Sequence, residues 1–178
     1  MIRRAVAVAL VVAAATASVS PAAESEAPLR LDVPVIRQTP ERCGPAALSM
    51  VLRFYGAPPS AVAEADRAYD PVLRGALITD LAAAAQRAGF QASVETPDEE
   101  GLRALLRERV PPVLLYERGI GPIGRGHYGV VVGWEPEHGT YVVNDGRARP
   151  RRVGREALMR SWRAAGGQAL VVRPPVSP

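Results

Sequence analysis

The chain has 178 residues, of which 48% are hydrophobic and 22% are charged, and its formal net charge is +4 at pH 7. This length suits one compact domain with a buried core and is short for two. The charge is only mildly basic, and the one local run of arginines, between residues 147 and 155, has no interleaved aromatic side chains, so the composition argues against nucleic acid as a partner. We interpret that run as a solvated face or an anion-tolerant rim.

Residues 1–23 have the pattern of a secretory signal peptide. Residues 1–4 end in two arginines, and residues 5–15 are an uninterrupted run of small and apolar residues. Small-x-small cleavage motifs end at Ala17 and at Ala23, and the sequence leaves both open. The apolar run is too short for a stable membrane anchor. We therefore expect a periplasmic or secreted protein without a stable membrane span after cleavage; an uncleaved N-terminal anchor is the alternative.

The remainder divides into a linker, one domain and a tail. Residues 24–30 are a polar linker, residues 31–174 form the predicted domain, and residues 175–178 are a short tail. Residues 31–36 alternate between apolar and polar and contain Pro34, which predicts a short strand at a sheet edge.

The only cysteine of the chain, Cys43, stands at the predicted start of a helix. Gly44 and Pro45 follow it, with the proline near the first helical position, and Gly56 supplies the stop. The bulky apolar residues of this helix are spaced to share one buried face: Leu48, Val51, Leu52 and Tyr55. A helix N-terminus carries free N–H groups and about half a positive charge, so a sulfur held there is favoured as the thiolate, the form that attacks carbonyls.

A lone cysteine is most often a small buried hydrophobic residue. In an oxidising compartment, however, cysteines normally pair, so a single exported cysteine is buried, intermolecular or functional. Gln38, shortly upstream, can donate its side-chain amide to the oxygen that becomes negative during attack on a carbonyl, together with the backbone N–H of Cys43. The alternative is that Gln38 is simply a polar loop residue.

Further elements are predicted in the middle of the chain. They are a helix capped by Ser60 and running to Ala68, a helix capped by Thr79 and ended by Gly89, a strand over residues 90–94, a helix opened by a capping box at Thr96 and ended by Pro111, and a strand over residues 113–116. The last is a continuous apolar run, which is typical of a central strand. The glycine-rich loop at 119–126 lacks the Lys-Ser/Thr pair of a phosphate-binding loop, so we interpret it as a rim of the cleft.

The segment from His127 to Asp145 predicts a β-hairpin with its turn at residues 135–139. Antiparallel pairing puts Asp145 opposite approximately Val130, within about three positions of His127, a gap that turn register or a bulge could close. A carboxylate beside an imidazole fixes its tautomer and stabilises the imidazolium. Cysteine, histidine and aspartate therefore have the residue types and order of a thiol-protease triad.

Each member of this set also has a structural interpretation. His127 could be a satisfied core histidine, and Asp145 could cap the turn before Gly146. The second histidine, His138, lies in the predicted turn and is interpreted as a solvent residue. One cysteine and one histidine without paired ligand spacing do not make a zinc site, so we predict neither a metal nor a cofactor.

Three motifs carry a resemblance to a known family. They are Gln38 followed by Cys43-Gly44-Pro45-Ala46-Ala47-Leu48, the strand from Gly126 to Trp134, and Asn144-Asp145-Gly146. Together they resemble the C39 family of cysteine peptidases and its C39-like relatives. The likeness spans about residues 31–174, including a Trp-containing helix over 155–162 and a last strand over 168–172. It implies an α+β, papain-like cysteine peptidase fold, in which an N-terminal helix carrying the cysteine packs on an antiparallel sheet carrying the histidine and aspartate.

The resemblance also implies roles. It makes Cys43 the nucleophile, His127 the general base, Asp145 its orienter and Gln38 the oxyanion donor. For the reaction we expect acyl transfer, with an ion pair between Cys43 and His127 before attack. The implied activity is that of a cysteine endopeptidase acting on an exported peptide or protein. Family members fused to transporters cut precursors after a Gly-Gly leader, so a leader-bearing precursor is one expected substrate. Two features depart from the family pattern: Gln38 lies one residue closer to the cysteine, and Gly146 stands where proline is frequent.

Other classes of function stay open at this point. A catalytically silent C39-like module would bind peptides without cleaving them. A structural envelope protein would keep a free, buried cysteine. A peptide transamidase shares the thioester intermediate of a peptidase, and the sequence does not separate the two.

Overall fold

The computed structural model describes residues 27–39, 41–119 and 125–175. The predicted signal peptide, most of the glycine-rich loop and most of the predicted tail lie outside the described residues. The helices are α1 (Cys43–Phe54), α2 (Pro59–Ala63), α3 (Ile78–Arg87), α4 (Glu99–Arg107) and α5 (Arg155–Ala164), with 3₁₀ turns at Glu64–Ala68 and Pro136–His138. The strands are β1 (Leu29–Arg30), β2 (Gln91–Glu95), β3 (Val113–Arg118), β4 (Arg125–Glu135), β5 (Thr140–Asn144), β6 (Arg151–Gly154) and β7 (Ala169–Arg173).

The strands form one antiparallel sheet in the order β2-β7-β3-β4-β5-β6, with β1 paired to the end of β4. Helix α1 packs on β4 and helix α5 packs on β3. The predicted α+β architecture, with the cysteine helix on an antiparallel sheet, is therefore confirmed. Within the described residues, no helix is both long enough and apolar enough to cross a bilayer.

Helix α1 is held on the sheet by its predicted apolar face. Leu48, Val51 and Leu52 are fully buried. Burial of each such side chain contributes roughly 1.5–3 kcal/mol. At the end of the helix, the half-buried Tyr55 donates its hydroxyl to the carbonyl of Val172 in β7 at 2.9 Å. The far end of the helix is thus tied to the sheet, which fixes where its first residue, Cys43, lies.

The hairpin of β4 and β5 forms as predicted, and a bulge in β4 shifts its register so that Asp145 lies nearer to His127. Val130 pairs with Asn144, and the register shifts between Val131 and Gly133. Asp145, the residue after Asn144, therefore lies beside Gly129, one position nearer to His127 than predicted. The bulge inserts one extra residue into β4, which is the device that the sequence analysis considered for closing this gap.

The predicted N-terminal strand over residues 31–36 is wrong in its position. The paired residues are Leu29 and Arg30, and the ladder ends with the N–H of Leu31 donating to the carbonyl of Val132 at 2.7 Å. Beyond that point Pro34 has no N–H to donate. Strand pairing therefore stops before it.

The helix starts also differ from prediction. Helix α2 is preceded by Pro58 and helix α3 by Leu77, neither with a side-chain cap, where Ser60 and Thr79 were predicted as caps. Helix α4 is capped by Asp98, whose carboxylate accepts from the N–H of Gly101 at 2.8 Å. The capping box predicted at Thr96 therefore lies two residues too early. An ionised carboxylate is a stronger acceptor than a hydroxyl, which accounts for the choice of Asp98.

The arginine run between residues 147 and 155, interpreted as a solvated face, contains the unpredicted strand β6. Arg151 bonds the buried Asp145, and Arg152 forms a two-point pair with Glu135 at 2.6 and 2.9 Å. These arginines therefore close the edge of the sheet next to β5.

Candidate active site

A cleft of about 1160 Å³ contains all four residues that the sequence analysis selected: Gln38, Cys43, His127 and Asp145. They come from three separate parts of the chain: the segment before α1 together with its first residue, the beginning of β4, and the end of β5. Packing of α1 on β4 and pairing of β4 with β5 bring these parts together.

Cys43 is the first residue of α1, two residues earlier than the proline that was expected to open the helix. The first intrahelical hydrogen bond runs from the N–H of Ala46 to the carbonyl of Arg42 at 3.0 Å, so the N–H groups of Cys43 and Gly44 precede the hydrogen-bonded ladder. The cysteine is partly exposed in the cleft and forms no disulfide. This exposure is unlike that of the buried structural cysteine considered as an alternative.

The turn before the cysteine is held in an uncommon backbone conformation. Glu41 has φ of 69°, a left-handed value that costs a non-glycine residue about 1–2 kcal/mol. Its carboxylate is bonded by the guanidinium of Arg74, with Nε at 2.7 Å, and by the hydroxyl of Tyr69 at 3.2 Å. The N–H of Arg42 also closes a turn onto the carbonyl of Thr39 at 3.2 Å. These contacts offset the strain and hold the chain where the helix begins.

Gln38 has the donor required of an oxyanion group. Its Nε2 is buried and has no hydrogen-bond partner among the described residues. Its backbone N–H donates to the carbonyl of Gly146 at 3.4 Å. A Cβ added at Gly146 would overlap the side chain of Gln38, and Gly146 has φ of 83°. Glycine at 146 thus leaves the space that the glutamine side chain occupies.

His127 is oriented by the main chain of Asp145. Its Nε2 lies 3.1 Å from the backbone oxygen of Asp145. A carbonyl oxygen only accepts, so Nε2 carries the proton and, in the neutral ring, Nδ1 is the basic nitrogen. The ring of Tyr116, the cross-strand neighbour of His127 in β3, meets the imidazole edge-on with centroids 5.6 Å apart.

A second contact of His127 is with a cation. Nη1 of Arg118 lies 3.4 Å from the same Nε2, which places two donors against each other. Burial lowers the pKa of His127 from its ordinary value, and the charge of Arg118 lowers it further, whereas the hydrogen bond to Asp145 raises it. Burial is the largest of these effects, so the surroundings favour the neutral imidazole.

The carboxylate of Asp145 is turned away from the histidine. It is fully buried and pairs with Nε of Arg151 at 3.1 Å and Nε of Arg147 at 3.5 Å, while Oδ1 has no hydrogen-bond partner in the described structure. The predicted role of orienter is thus taken by the backbone oxygen. The side chain reaches His127 only through its charge, which favours the imidazolium. No hydrogen bond between Cys43 and His127 is present in the described residues; such contacts are often long before substrate binds.

The sequence analysis missed several residues of the cleft. Arg118, which lines the cleft, comes from β3, whose pairing with β4 was not predicted; the same strand supplies Tyr116, which lies outside the lining and contacts His127. Leu73 and Leu77, with exposed fractions of 55% and 52%, also line the cleft. The signal that could have found Tyr116 is the register of the two strands that flank the glycine-rich loop. Among the described residues, no cluster of three or more His, Cys, Asp or Glu could hold a metal ion.

A cysteine at a helix start, facing a histidine on an antiparallel sheet, defines the class of papain-like cysteine peptidase folds. The model of the Peptidase_C39 like family matches residues 30–170. The chain belongs to this family. A search of the curated proteins gives no match.

Solved structures agree on the fold. A double glycine motif protease from an AMS/PCAT transporter, in complex with its leader peptide, is 22% identical with a TM-score of 0.64, covering 83% of this chain and 97% of that one. The peptidase domain of Streptococcus ComA, a bi-functional ABC transporter involved in quorum sensing, is 22% identical with a TM-score of 0.63, covering 80% and 98%. A structure described as a C39-like peptidase from Bacillus anthracis is 16% identical with a TM-score of 0.70, covering 85% and 100%.

Proposed function

We propose that this protein is a cysteine peptidase that hydrolyses a peptide bond with Cys43 as nucleophile and His127 as general base. One observation carries the proposal: a single cleft holds a partly exposed thiol at a helix start, an imidazole with a fixed tautomer and an unpartnered amide donor on Gln38. Membership of a peptidase family supports it.

In the proposed reaction, Nδ1 of His127 takes the thiol proton of Cys43 as the sulfur attacks the peptide carbonyl. Nε2 of Gln38 and the N–H of Cys43 hold the oxyanion. The imidazolium then gives its proton to the leaving amine, and a thioester remains. Water, deprotonated by the imidazole, hydrolyses the thioester to a carboxylic acid and the free thiol.

In this order of steps the proton moves during the attack, whereas the sequence analysis expected a Cys43–His127 ion pair to exist before it. The pKa of His127 is lowered by burial and by Arg118, which disfavours an imidazolium in the resting enzyme. We therefore place proton transfer at the moment of attack, when the developing thiolate stabilises the imidazolium. The buried charge of Asp145 also stabilises the imidazolium, since it raises the pKa of His127.

The shape of the cleft supports a peptide substrate. Leu73 and Leu77 give the cleft an exposed apolar surface, and Arg118 adds a positive charge to its lining. A neighbour of the same fold is a double glycine motif protease bound to a leader peptide. An exported peptide or a leader-bearing precursor is the substrate class that we propose, with secretion directed by residues 1–23 and action in the periplasm or outside the cell.

The test is cleavage of a mixed peptide library, including Gly-Gly leader peptides, by the purified protein, with the product ends read by mass spectrometry. Cys43→Ala and His127→Ala are expected to abolish all cuts made by the wild type. His138→Ala is the matched control, because His138 is the only other histidine and lies in the hairpin turn away from the cleft. Cuts that persist in Cys43→Ala would refute the proposal.

Alkylation gives an independent measurement, since Cys43 is the only thiol of the chain. General-base activation predicts that the alkylation rates of the wild type and of His127→Ala have the same dependence on pH, because no imidazolium stabilises the resting thiolate. A standing ion pair predicts fast alkylation well below neutral pH that is lost in His127→Ala. The second result would restore the ion-pair mechanism.

A peptide-binding module without turnover is the second candidate. It is favoured by one observation, the pairing of the Asp145 carboxylate with two arginines in place of His127. A wild-type protein that binds library peptides with the same affinity as Cys43→Ala, and cuts none of them, would establish this function.

A further inference from the structure

In the part of the chain that the structure describes, Arg118 is a cation of the cleft without an acidic partner. Five charged residues line this cleft: Glu41, Arg74, Arg118, Asp145 and Arg147. Glu41 is bonded by Arg74, and Asp145 is bonded by Arg147 and by Arg151 behind it. Both acids are therefore engaged. Among the described residues, Arg118 is the charged group of the cleft that has no opposite charge.

Among the described residues, the polar side chain that contacts the Arg118 guanidinium, that of His127, is itself a donor. Nη1 of Arg118 lies 3.4 Å from Nε2 of His127, and that nitrogen carries the proton given to the oxygen of Asp145. A guanidinium has five N–H groups and no acceptor, in a fork that matches a carboxylate. Arg118 is exposed on the cleft surface. Its N–H groups are thus available to an incoming ligand.

The mechanism places this cation on one side of the scissile bond. His127 must reach the leaving amine to protonate it, so the imidazole stands on the leaving-group side of the attacked carbonyl. Arg118 contacts Nε2, the nitrogen that does not take the thiol proton. An extended peptide advances about 3.3 Å per residue, so the guanidinium reaches roughly the first two residues after the bond.

We propose that Arg118 forms a carboxylate-binding subsite, which makes the enzyme select peptides with a carboxylate within about two residues after the cleaved bond. This inference rests on the proposed peptidase function. The carboxylate has two possible sources with the same chemistry: an acidic side chain, or the C-terminus of a short leaving peptide. The first makes an endopeptidase with acidic specificity. The second makes an enzyme that trims residues from a chain end.

The surrounding electrostatics agree with this assignment. The charge of Arg118 lowers the pKa of His127. A carboxylate bound to Arg118 would offset that charge and strengthen the imidazole as a base. The correct substrate would thus improve the catalytic group beside it, whereas a neutral substrate would not.

The test uses matched peptides derived from the best substrate of the library. Each pair contains one acidic and one neutral peptide. The first pair has Asp or Asn at the first position after the bond, and the second pair has Asp or Asn at the second position. The third pair ends at the second position, as a free acid or as an amide. For the wild type we expect kcat/KM to favour the acid in at least one pair by about tenfold. Preference in the third pair alone identifies the chain terminus as the ligand; preference in the first or second identifies a side chain.

The acid-to-neutral ratio within each variant is the deciding quantity, because any general effect on His127 cancels in it. Arg118→Gln is expected to bring the ratio to about one, Arg118→Lys to keep part of it, and Arg118→Glu to invert it. Arg163→Gln, which removes an exposed arginine of α5 away from the cleft, should keep the wild-type ratio. A ratio near one in the wild type, or a preference that survives in Arg118→Gln, overturns the inference while leaving the peptidase intact.

A binding measurement distinguishes failure of the proposed peptidase function from failure of the carboxylate subsite. If the wild type cuts no peptide, acid and neutral pairs built in the same way on the library peptide that binds most tightly are measured by titration calorimetry against Cys43→Ala. Tighter binding of the acid that is lost in Cys43→Ala/Arg118→Gln supports the subsite in a non-cleaving protein. Equal affinity for acid and neutral peptides overturns the subsite together with the enzyme.

Discussion

Gly146→Ala should lower kcat because the added Cβ displaces the side chain of Gln38. A Cβ at this position would overlap Cγ, Cδ and Oε1 of Gln38, so the glutamine side chain must leave its place. Removal of one oxyanion donor lowers kcat by about 10²- to 10³-fold. A second cost falls on stability, because φ of 83° is strained for alanine by about 1–2 kcal/mol.

Gly56→Ala separates these two effects. Gly56 has φ of 74° and no atom within 4 Å of an added Cβ, so it shares the backbone strain but has no clash. It lies just beyond the C-terminal end of α1, opposite to the end that carries the cysteine. We expect both variants to lose similar stability in urea unfolding, and only Gly146→Ala to lose kcat with the best library peptide.

The effects of Gln38→Ala and Gly146→Ala on kcat are expected to be non-additive. In Gln38→Ala the clash partner is removed, so adding Gly146→Ala should lower kcat little beyond the loss of Gln38→Ala alone. Independent, multiplying losses would refute the claim that Gly146 acts through Gln38. Equal kcat in Gly146→Ala and Gly56→Ala would refute it as well.

Three further predictions follow from the charges of the described residues. Arg118→Gln should raise the pKa of His127 towards its ordinary value, which NMR titration of the ring protons in a Cys43→Ala background measures; an unchanged or lower pKa would contradict the assigned contact. Asp145→Asn should lower the free energy of unfolding in urea by about 1–3 kcal/mol, since two arginines lose a buried partner. It should lower kcat less than about tenfold, because the backbone oxygen of residue 145 still holds the imidazole. A loss of kcat near 10⁴-fold would show that the carboxylate orients the imidazole directly. The pKa of Glu99 is lowered chiefly by its bond to Arg155, so this pair stabilises the fold above the ordinary carboxylate range near pH 4.3 and is lost as the pH falls through the lower native pKa. Glu99→Gln should therefore destabilise the protein near neutral pH and match the wild type in strong acid, and a constant difference across this range would exclude the linkage.

The parts of the fold that depend on local patterns were predictable from the sequence. The apolar spacing of α1 and the turn residues of the β4–β5 hairpin act within about ten to twenty residues, and both elements are present. Helix caps were less predictable because several acceptors compete within one turn. At α4 the sequence offers both Thr96 and Asp98, and the helix is capped by the stronger acceptor, the carboxylate of Asp98.

Side-chain direction at the site could not be read from the sequence. The residue types and order indicate that Asp145 serves His127, but nothing local shows that its carboxylate meets arginines of β6 while its backbone oxygen meets the imidazole. That outcome depends on pairing β5 with a strand inside the arginine run, whose composition predicted a solvated face. Arg118 was missed for the same reason, since its position follows from the register of β3 against β4.

The two departures from the family pattern are one structural feature. Gln38 lies one residue nearer to the cysteine than the pattern expects, and Gly146 replaces a frequent proline. In the structure the side chain of Gln38 fills the space beside the α-carbon of Gly146, where any Cβ would overlap it. Proline is excluded twice, because its ring would occupy that space and because its φ is fixed near −65° whereas residue 146 has φ of 83°. Glycine at 146 thus leaves room for the side chain of Gln38 at the shifted position, where its amide nitrogen, Nε2, is buried without a partner among the described residues. The shifted spacing is therefore compatible with the oxyanion role proposed for Gln38.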